Sequence, residues 1–401
     1  MPELRFPEFE DEWKKKKLKD VAIINPKSQD LPNEFLYIDL ESVKCGKLKK
    51  ENYITKEQAP SRAQRLLKDN DILYQTVRPY QKNNLYFMSK NLDKCVASTG
   101  YAQIRCKEDS KFVYQYLHTD KFVNRVLSRC TGTSYPAISS TDLGKIKIKI
   151  PSLPEQEKIA SFLSKVDLKI EKLERKVELW QFYKKGMLQQ LFSQELRFKA
   201  GDESDFPDWE IKFLGEISDI KTGNKDLKDK IDKGKYPFFV RSDNIERINS
   251  YSFDGEAILI PGDGKIGEVY HYITGKFDYH QRVYKISDFQ EKINGKYIYY
   301  YLRRHFLRQA LKNSVKATVD SLRLPTIKGM EIELPSLPEQ TKIADFLTSI
   351  DNKIESIQKE LQLNKEFKKG LLQKMFPEDK KSKEIKTPDL LDKQTEQTAL
   401  L

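Results

Sequence analysis

Side chains that can hydrogen-bond two atoms at once gather in two loop-rich stretches of this 401-residue chain. In the first half, Gln75, Arg78, Tyr80, Gln81, Lys82, Asn83 and Asn84 form a nearly continuous run, with Tyr101, Ser134 and Tyr135 as further candidates. The counterparts in the second half are Arg241, Ser242, Asn244, Asp263, Lys265, His280, Gln281, Arg282, Lys316, Thr318 and Arg323. Asn and Gln can pair bidentately with adenine and Arg with guanine, each such contact giving about 1–3 kcal/mol of discrimination. Lysines suit phosphates and make binding salt-sensitive. For any one of these residues, a solvated turn or a phosphate contact is the competing reading.

Reaction chemistry is poorly served by comparison. Cys45, Cys95, Cys106 and Cys130 all fall in the first half without a close pair, and His118, His271, His280 and His305 form no short-spaced pair either. Zinc sites usually carry ligands two to four residues apart, so no metal is assigned and the cysteines read as free, mostly buried thiols in a reducing compartment. The string from Pro261 to Gly267 suggests a phosphate-cradling loop, but its Gly-Lys is followed by Ile266 rather than Ser or Thr, so it reads as a flexible loop between strands. No dinucleotide fingerprint or alternating β/α core is present. Asn25-Pro26 lacks the following aromatic that adenine methyltransferases use. Glu366 and Lys368 read as surface charge on a helix, not as nuclease metal ligands.

The formal charge of +12 and pI near 9.1 point to an anionic partner such as nucleic acid. The charge is uneven: residues 1–150 hold 28 Lys/Arg against 19 Asp/Glu, whereas residues 200–334 hold 22 of each. In the second stretch only a local basic face could serve DNA. No run reaches 18 apolar residues and the first residues are charged, so a cytoplasmic protein is expected.

What must position these loops is written twice. Residues 151–167 return at 335–351, identical at 12 of 17 positions after a shift of 184. Lys184, Lys185 and Gly186 recur as Lys368, Lys369 and Gly370, and Phe192 as Phe376. A period this long means domain-sized units rather than a solenoid. Each copy opens on a capping-box pattern, Ser152 with Glu155 and Ser336 with Glu339, with proline tolerated in the first turn. Behind the first cap runs an apolar stripe of Ile159, Phe162, Val166, Ile170, Leu173, Val177 and Trp180, then Met187 and Leu191. Behind the second runs Ile343, Phe346, Ile350, Ile354, Ile357 and Leu361, then Leu371 and Met375. Steps of three and four make a coiled-coil seam, and a helix over 155–192 would be roughly 57 Å long. A seam of that length needs a partner, and two copies related by a dyad would pair antiparallel and cover each other. Lys184, Asn364 and Lys368 interrupt the stripes, which predicts less regular packing at the far ends.

The stretches ahead of each helix also match. Phe6, Pro7 and Trp13 are echoed by Phe206, Pro207 and Trp209. Strands are predicted at 35–40, 71–77 and 102–105, answered by 238–245, 257–261 and 282–286, with short helices near 112–117 and 297–302. The expected domains are 1–150, 151–199 (long helix), 200–334, 335–378 (long helix) and a mobile polar tail at 379–401. The fold class is α+β, two mixed domains separated by a long antiparallel helix pair with internal pseudo-two-fold symmetry.

With its twice-used PSLPEQ–KIA–FL start, its KKG helix ends and its Phe-Pro, Trp and Leu lead-in, the chain resembles a specificity subunit of a type I restriction-modification system. The likeness spans nearly everything but the tail. It implies two target recognition domains, each reading half of a bipartite DNA site, with helices setting the interval. It further implies a non-catalytic scaffold for two methyltransferase subunits using S-adenosylmethionine and for restriction subunits using ATP and Mg. A self-sufficient DNA methyltransferase or nuclease, and a coiled-coil adaptor binding only proteins, are the alternatives. The first predicts activity from the chain alone and the second predicts no sequence-dependent DNA affinity.

Overall fold

The computed structural model describes residues 1–28, 30–89, 94–312 and 321–377. The chain forms two units, one from Met1–Leu173 with Glu360–Leu401, the other from Glu174–Lys359. Both division points fall inside the long helices, Leu153–Phe192 and Leu337–Met375, so each unit holds the start of one long helix and the end of the other.

In the first unit, the strand Lys14–Lys17 pairs antiparallel with Lys147–Ile150, clamping the two ends of the mixed domain together. One four-stranded sheet runs Ala22–Ile24, Tyr101–Cys106, Ile72–Gln75, Leu85–Tyr86, and another Asn52–Thr55, Glu34–Ile38, Cys95–Ser98, Ala63–Leu66. Helices Ser110–Leu117 and Asp120–Leu127 follow, the first capped by Asp109 and the second by Thr119. Their apolar faces join Trp13, Ile159, Leu163, Leu371, Met375 and Phe376 in one core. Phe376 is its plug, with ring centroids 5.5 Å from Phe112 and 5.3 Å from Tyr116. Lys121 Nζ donates to the carbonyls of Gln373 and Phe376, satisfying the last turn of the helix.

The second unit repeats the plan with different lengths. Glu210–Phe213 pairs antiparallel with Glu331–Leu334 at its root. Its six-stranded sheet runs Asp219–Thr222, Val283–Ser287, Phe253–Pro261, His271–Tyr279, Tyr236–Phe239, Ile245–Ile248. The nine-residue strands Phe253–Pro261 and His271–Tyr279 pair along most of their length and join what are two sheets in the first unit. A single helix, Gly295–Lys312, replaces the two. Phe192 packs against Tyr297 and Tyr301 at 5.7 and 5.5 Å.

Three sequence expectations need correcting. The run 238–245 is not one strand but the end of Tyr236–Phe239, a bend, and the start of Ile245–Ile248. Cys45 is exposed, while Cys95 is buried and Cys106 and Cys130 are half-buried. The capping-box glutamates point elsewhere: Glu155, fully buried, accepts from Arg5 Nε and Nη2 at 2.7 Å each and from Trp13 Nε1 at 3.1 Å. Glu339, equally buried, accepts from Arg197 Nε and Nη2 at 3.1 and 2.9 Å and from Trp209 Nε1 at 3.2 Å. Among the described residues the Ser336 hydroxyl has no partner. A full carboxylate is retained without solvent because a guanidinium and an indole N–H neutralise and satisfy it.

Two of the three polar interruptions of the stripes are ion pairs, and the third, Asn364, donates its Nδ2 to the Glu360 carbonyl at 2.8 Å. Within the first unit Lys368 Nζ meets Asp167 Oδ1 at 2.5 Å, and within the second Lys184 meets Asp351. Asp167 and Asp351 are repeat equivalents, and so are Lys184 and Lys368. In the first unit Lys169 also meets Glu360 at 3.3 Å, so ascending numbers on one helix face descending numbers on the other. Of the predicted seam, Ile159, Leu173, Ile343, Ile350, Ile354 and Ile357 are buried, and Phe162, Val166, Ile170, Val177, Trp180, Phe346 and Leu361 are half-buried. The stripe omitted Leu163 and Leu347, which are completely buried because they face the domain cores as well as the seam.

Candidate nucleic-acid interface

In the first unit the strand Ile72–Gln75 leads into a short 3₁₀ turn, Pro79–Gln81, bracketed by Arg78 and Lys82, both in the left-handed region at φ +52° and +53°. Two non-glycine residues there need outside support. It comes from the amides: Gln75 Nε2 donates to Gln81 Oε1 at 2.8 Å, the Asn83 N–H to Gln75 Oε1 at 3.2 Å, and the Gln75 N–H to Asn84 Oδ1 at 2.8 Å. Asn83 Oδ1 accepts from the Cys45 N–H, and Lys82 Nζ reaches Asp120 Oδ1 at 2.6 Å and the His118 carbonyl at 3.0 Å. Asn84 Nδ2 lies 3.4 Å from His118 Nε2, while His118 Nδ1 faces the Tyr114 carbonyl at 2.8 Å, the pattern of a neutral ring protonated on Nδ1. Burial holds the His118 pKa down at about 4.

The predicted readers of this unit therefore divide. Gln75 and Asn84 are buried with their polar atoms spent inside the loop, and Tyr101 is fully buried with its hydroxyl on the Asp39 carbonyl. In this geometry these three build the loop and do not face out from it. Gln81, Lys82 and Asn83 are half-buried supports. Arg78 and Tyr80 remain partly open, and Ser134 and Tyr135 are exposed. The Arg78 guanidinium lies 4.2 Å over the Tyr135 ring, and the Arg78 N–H donates to the Pro136 carbonyl, so a cation–aromatic stack caps the loop.

In the second unit the loops after the strands Phe253–Pro261 and His271–Tyr279 meet the segment that leads into the short helix Leu324–Lys328. The Leu322 N–H donates to the Gly262 carbonyl and the Gly262 N–H to the Arg282 carbonyl, bringing 262–264, 280–282 and 321–323 together. A side chain at Gly262 would sit 2.9 Å from the Tyr284 ring, and Gly264 and Gly267 have φ of +74° and +78°. The loop lies between strands, as its sequence predicted. At its centre Asp263 receives Arg241 Nη1 on one oxygen at 3.0 Å and Arg282 Nη1 on the other at 2.8 Å. Burial alone would raise the Asp263 pKa, but the hydrogen bonds from Arg282 and Arg241 outweigh it and hold it below the ordinary carboxylate value. The two guanidinium side chains are 62% and 45% exposed, fixed at one edge and open at the other.

Around this centre Gln281 Nε2 donates to Asp226 Oδ2 at 2.8 Å, and His280 is buried, its Nδ1 accepting from the Arg282 N–H at 2.9 Å. Burial first, then Arg241, depresses the His280 pKa, which fits a neutral acceptor. His280 thus supports the loop from within. Lys265 Nζ lies 4.0 Å from Asp243, Ser242 lends its carbonyl to His271, and Asn244 and Arg323 are exposed. Lys316 and Thr318 lie outside the described residues. Asp226, 55 residues before its partner, carried no local signal in the sequence.

Among the described residues no group of three His, Cys, Asp or Glu could hold a metal ion, and no helix is long and apolar enough to cross a membrane.

Two repeat-related α+β domains, each rooted by an antiparallel strand pair on the start of a long helix, define a duplicated class of protein, here with loops that differ between the copies. The chain belongs to the type I restriction modification DNA specificity family, whose domain model matches residues 10–181 and 207–365. It is 32% identical to the type I restriction enzyme EcoDI specificity subunit of Escherichia coli over 41% of this chain and 37% of that protein. It is 30% identical to the MjaVIII specificity subunit of Methanocaldococcus jannaschii over 61% of this chain and 64% of that one. These alignments thus span less than two thirds of either relative. The type I restriction-modification S subunit of M. genitalium shares the fold at TM-score 0.65 and 17% identity, over 94% of this chain and all of that one.

Proposed function

We propose that the chain is the DNA sequence-specificity subunit of a type I restriction-modification complex and is not itself catalytic. Each mixed domain reads one half of a bipartite, asymmetric site. The long helices pair as an antiparallel coiled coil with pseudo-two-fold symmetry and set the unread interval. The observation that carries this reading is the duplication of the frame beside the divergence of the loops. The buried Arg–Glu–Trp cluster and the Asp–Lys ion pair recur at equivalent positions, whereas the exposed groups are an Arg–Tyr stack in one unit and an Arg–Asp–Arg cluster in the other. A common frame with different tips suits a duplex whose backbone is locally two-fold while its bases are not.

The frame also carries a repeated outer surface. Leu179 and Tyr183 in one unit, and their equivalents Leu363 and Phe367 in the other, are exposed apolar pairs one helical turn apart. Such pairs suit a partner present twice, the two methyltransferase subunits, which would bring S-adenosylmethionine; restriction subunits would bring ATP and Mg. The test is genome-wide mapping of methylated adenine with and without the gene. Deletion removes a two-part motif, and exchange of residues 1–150 for those of a relative alters one part only. An unchanged motif after that exchange would overturn the division of labour.

A further inference from the structure

The cluster of Arg241, Asp263 and Arg282 matters for what it leaves open. Each guanidinium gives Asp263 one nitrogen only, Nη1, at 3.0 and 2.8 Å, and each takes a different carboxylate oxygen. Among the described residues the Nε and Nη2 of both arginines have no acceptor. Those two atoms form the parallel two-donor edge of a guanidinium, the same edge that Arg5 spends on Glu155 and Arg197 on Glu339. Here it is held ready and unspent. Ion pairs as exposed as these, with the arginine side chains at 45% and 62%, contribute little to stability, so fastening the loops does not account for the cluster.

The backbone under both arginines is pinned. The Arg282 N–H donates to His280 Nδ1 at 2.9 Å, its carbonyl accepts from the Gly262 N–H, and the neighbouring Gln281 N–H donates to the Lys225 carbonyl. Beside Arg241, the Ser242 carbonyl holds His271 Nε2 at 3.1 Å. Edges set in advance lose less freedom when they bind. A phosphate is a poor match for this arrangement, because Asp263 cancels one of the two positive charges and residues 200–334 hold as many acidic as basic side chains. The planar two-donor edge instead fits the O6 and N7 acceptors of guanine in the major groove. One carboxylate keeps the two groups close together, and base pairs follow one another about every 3.4 Å, so the two edges meet neighbouring pairs.

We propose that Arg241 and Arg282, set at a fixed separation by Asp263, read the guanines of two adjacent G·C pairs in the half-site of the second mixed domain. The inference rests on the DNA-binding reading above and adds which bases that half contains. The two guanines lie on one strand or on facing strands of the same step.

The half in question is the part of the methylated motif that survives exchange of residues 1–150, and it should contain two adjacent G·C pairs. Binding is then measured with the full chain assembled in its complex, on labelled duplexes in which each of those pairs is changed to A·T in turn. The wild type prefers G·C by about 5- to 150-fold at each position. Arg241→Lys and Arg282→Lys keep the charge and lose the two-donor edge. Each loses the preference at one position, a different one for each variant, and keeps it at the other; retained recognition of the other half of the motif shows that the complex is still folded. Placing 7-deazaguanine, which lacks N7, at either position weakens wild-type binding and needs no variant. A half without two adjacent G·C pairs, wild-type binding undiminished on 7-deazaguanine, or lysine variants that still discriminate at both positions, as phosphate contacts or a purely structural cluster would, overturns the paired reading alone. Absence of any two-part motif that depends on the gene overturns the parent reading as well.

Discussion

Replacing Glu155 by Ala removes the carboxylate that both Arg5 and Trp13 donate to, leaving Arg5 the Asp11 carbonyl, at a point nearly closed to water. The Arg5 side chain is 10% exposed and its partner 1%. Breaking a buried pair from one side typically costs about 3–5 kcal/mol, because the surviving charge is left unpaired. At 1.36 kcal/mol per decade this is about two to nearly four decades in the opening equilibrium. Hydrogen exchange of the strand Ile72–Gln75, at the centre of its sheet, reads that equilibrium without assuming that the whole chain unfolds in one step. The expected result is exchange faster by at least a hundredfold. Glu339→Ala acts on Phe253–Pro261 in the same sense but less, since the Arg197 side chain is 25% exposed and keeps two carbonyls, of Phe206 and Pro207, where Arg5 keeps that of Asp11. Adding Arg5→Ala to Glu155→Ala restores part of the loss, because no orphaned charge remains. If the double variant is as unstable as the sum of the singles, the pair is not coupled and the account of the helix start is wrong.

Two further outcomes follow from the site. Asp263→Ala frees Arg241 and Arg282 to move independently, and the methylation motif should relax at one or two positions of one half while DNA affinity stays within tenfold; a motif as sharp as the wild type's would show that Asp263 does not position them. Stability of the first unit should fall as pH drops from about 6.5 toward 4, because His118 is held near 4 when folded and the unfolded chain takes up the proton first. The slope difference between wild type and His118→Asn reaches at most about 1.4 kcal/mol per pH unit, measured by urea unfolding at stepped pH, and parallel pH profiles would refute it.

The frame was legible in the sequence because it is written twice and periodically. The long helices and the Trp13 and Trp209 lead-ins followed from spacing and repetition, whereas the root strands Lys147–Ile150 and Glu331–Leu334 that run into those helices were not anticipated. Two things resisted. Glu155 and Glu339 fitted a local capping rule, but their partners lie 142 and 130 residues away at the indoles, and nothing local announces such a pairing. The loop residues were chosen by type, yet Gln75 and Asn84 proved to be the internal scaffold of the loop and Arg78 with Tyr135 its open tip. Amide side chains bind backbone and bases through the same atoms, so only burial separates the two uses. The stripe breaks at Lys184 and Lys368 were read as irregular packing, whereas aspartates on the facing helix make them specific contacts.

Each mixed domain begins and ends on adjoining strands, Lys14 opposite Ile150 and Glu210 opposite Leu334. A segment whose two ends leave side by side can be excised and replaced without reshaping what holds it, like a bulb in a socket. The mating rim is narrow: a tryptophan for the glutamate, an aromatic cavity for Phe376 or Phe192, and a strand for the root pair. A replacement that keeps these few features meets the same frame, so on the proposed reading an exchange of one domain changes what that domain reads without touching the helix pair.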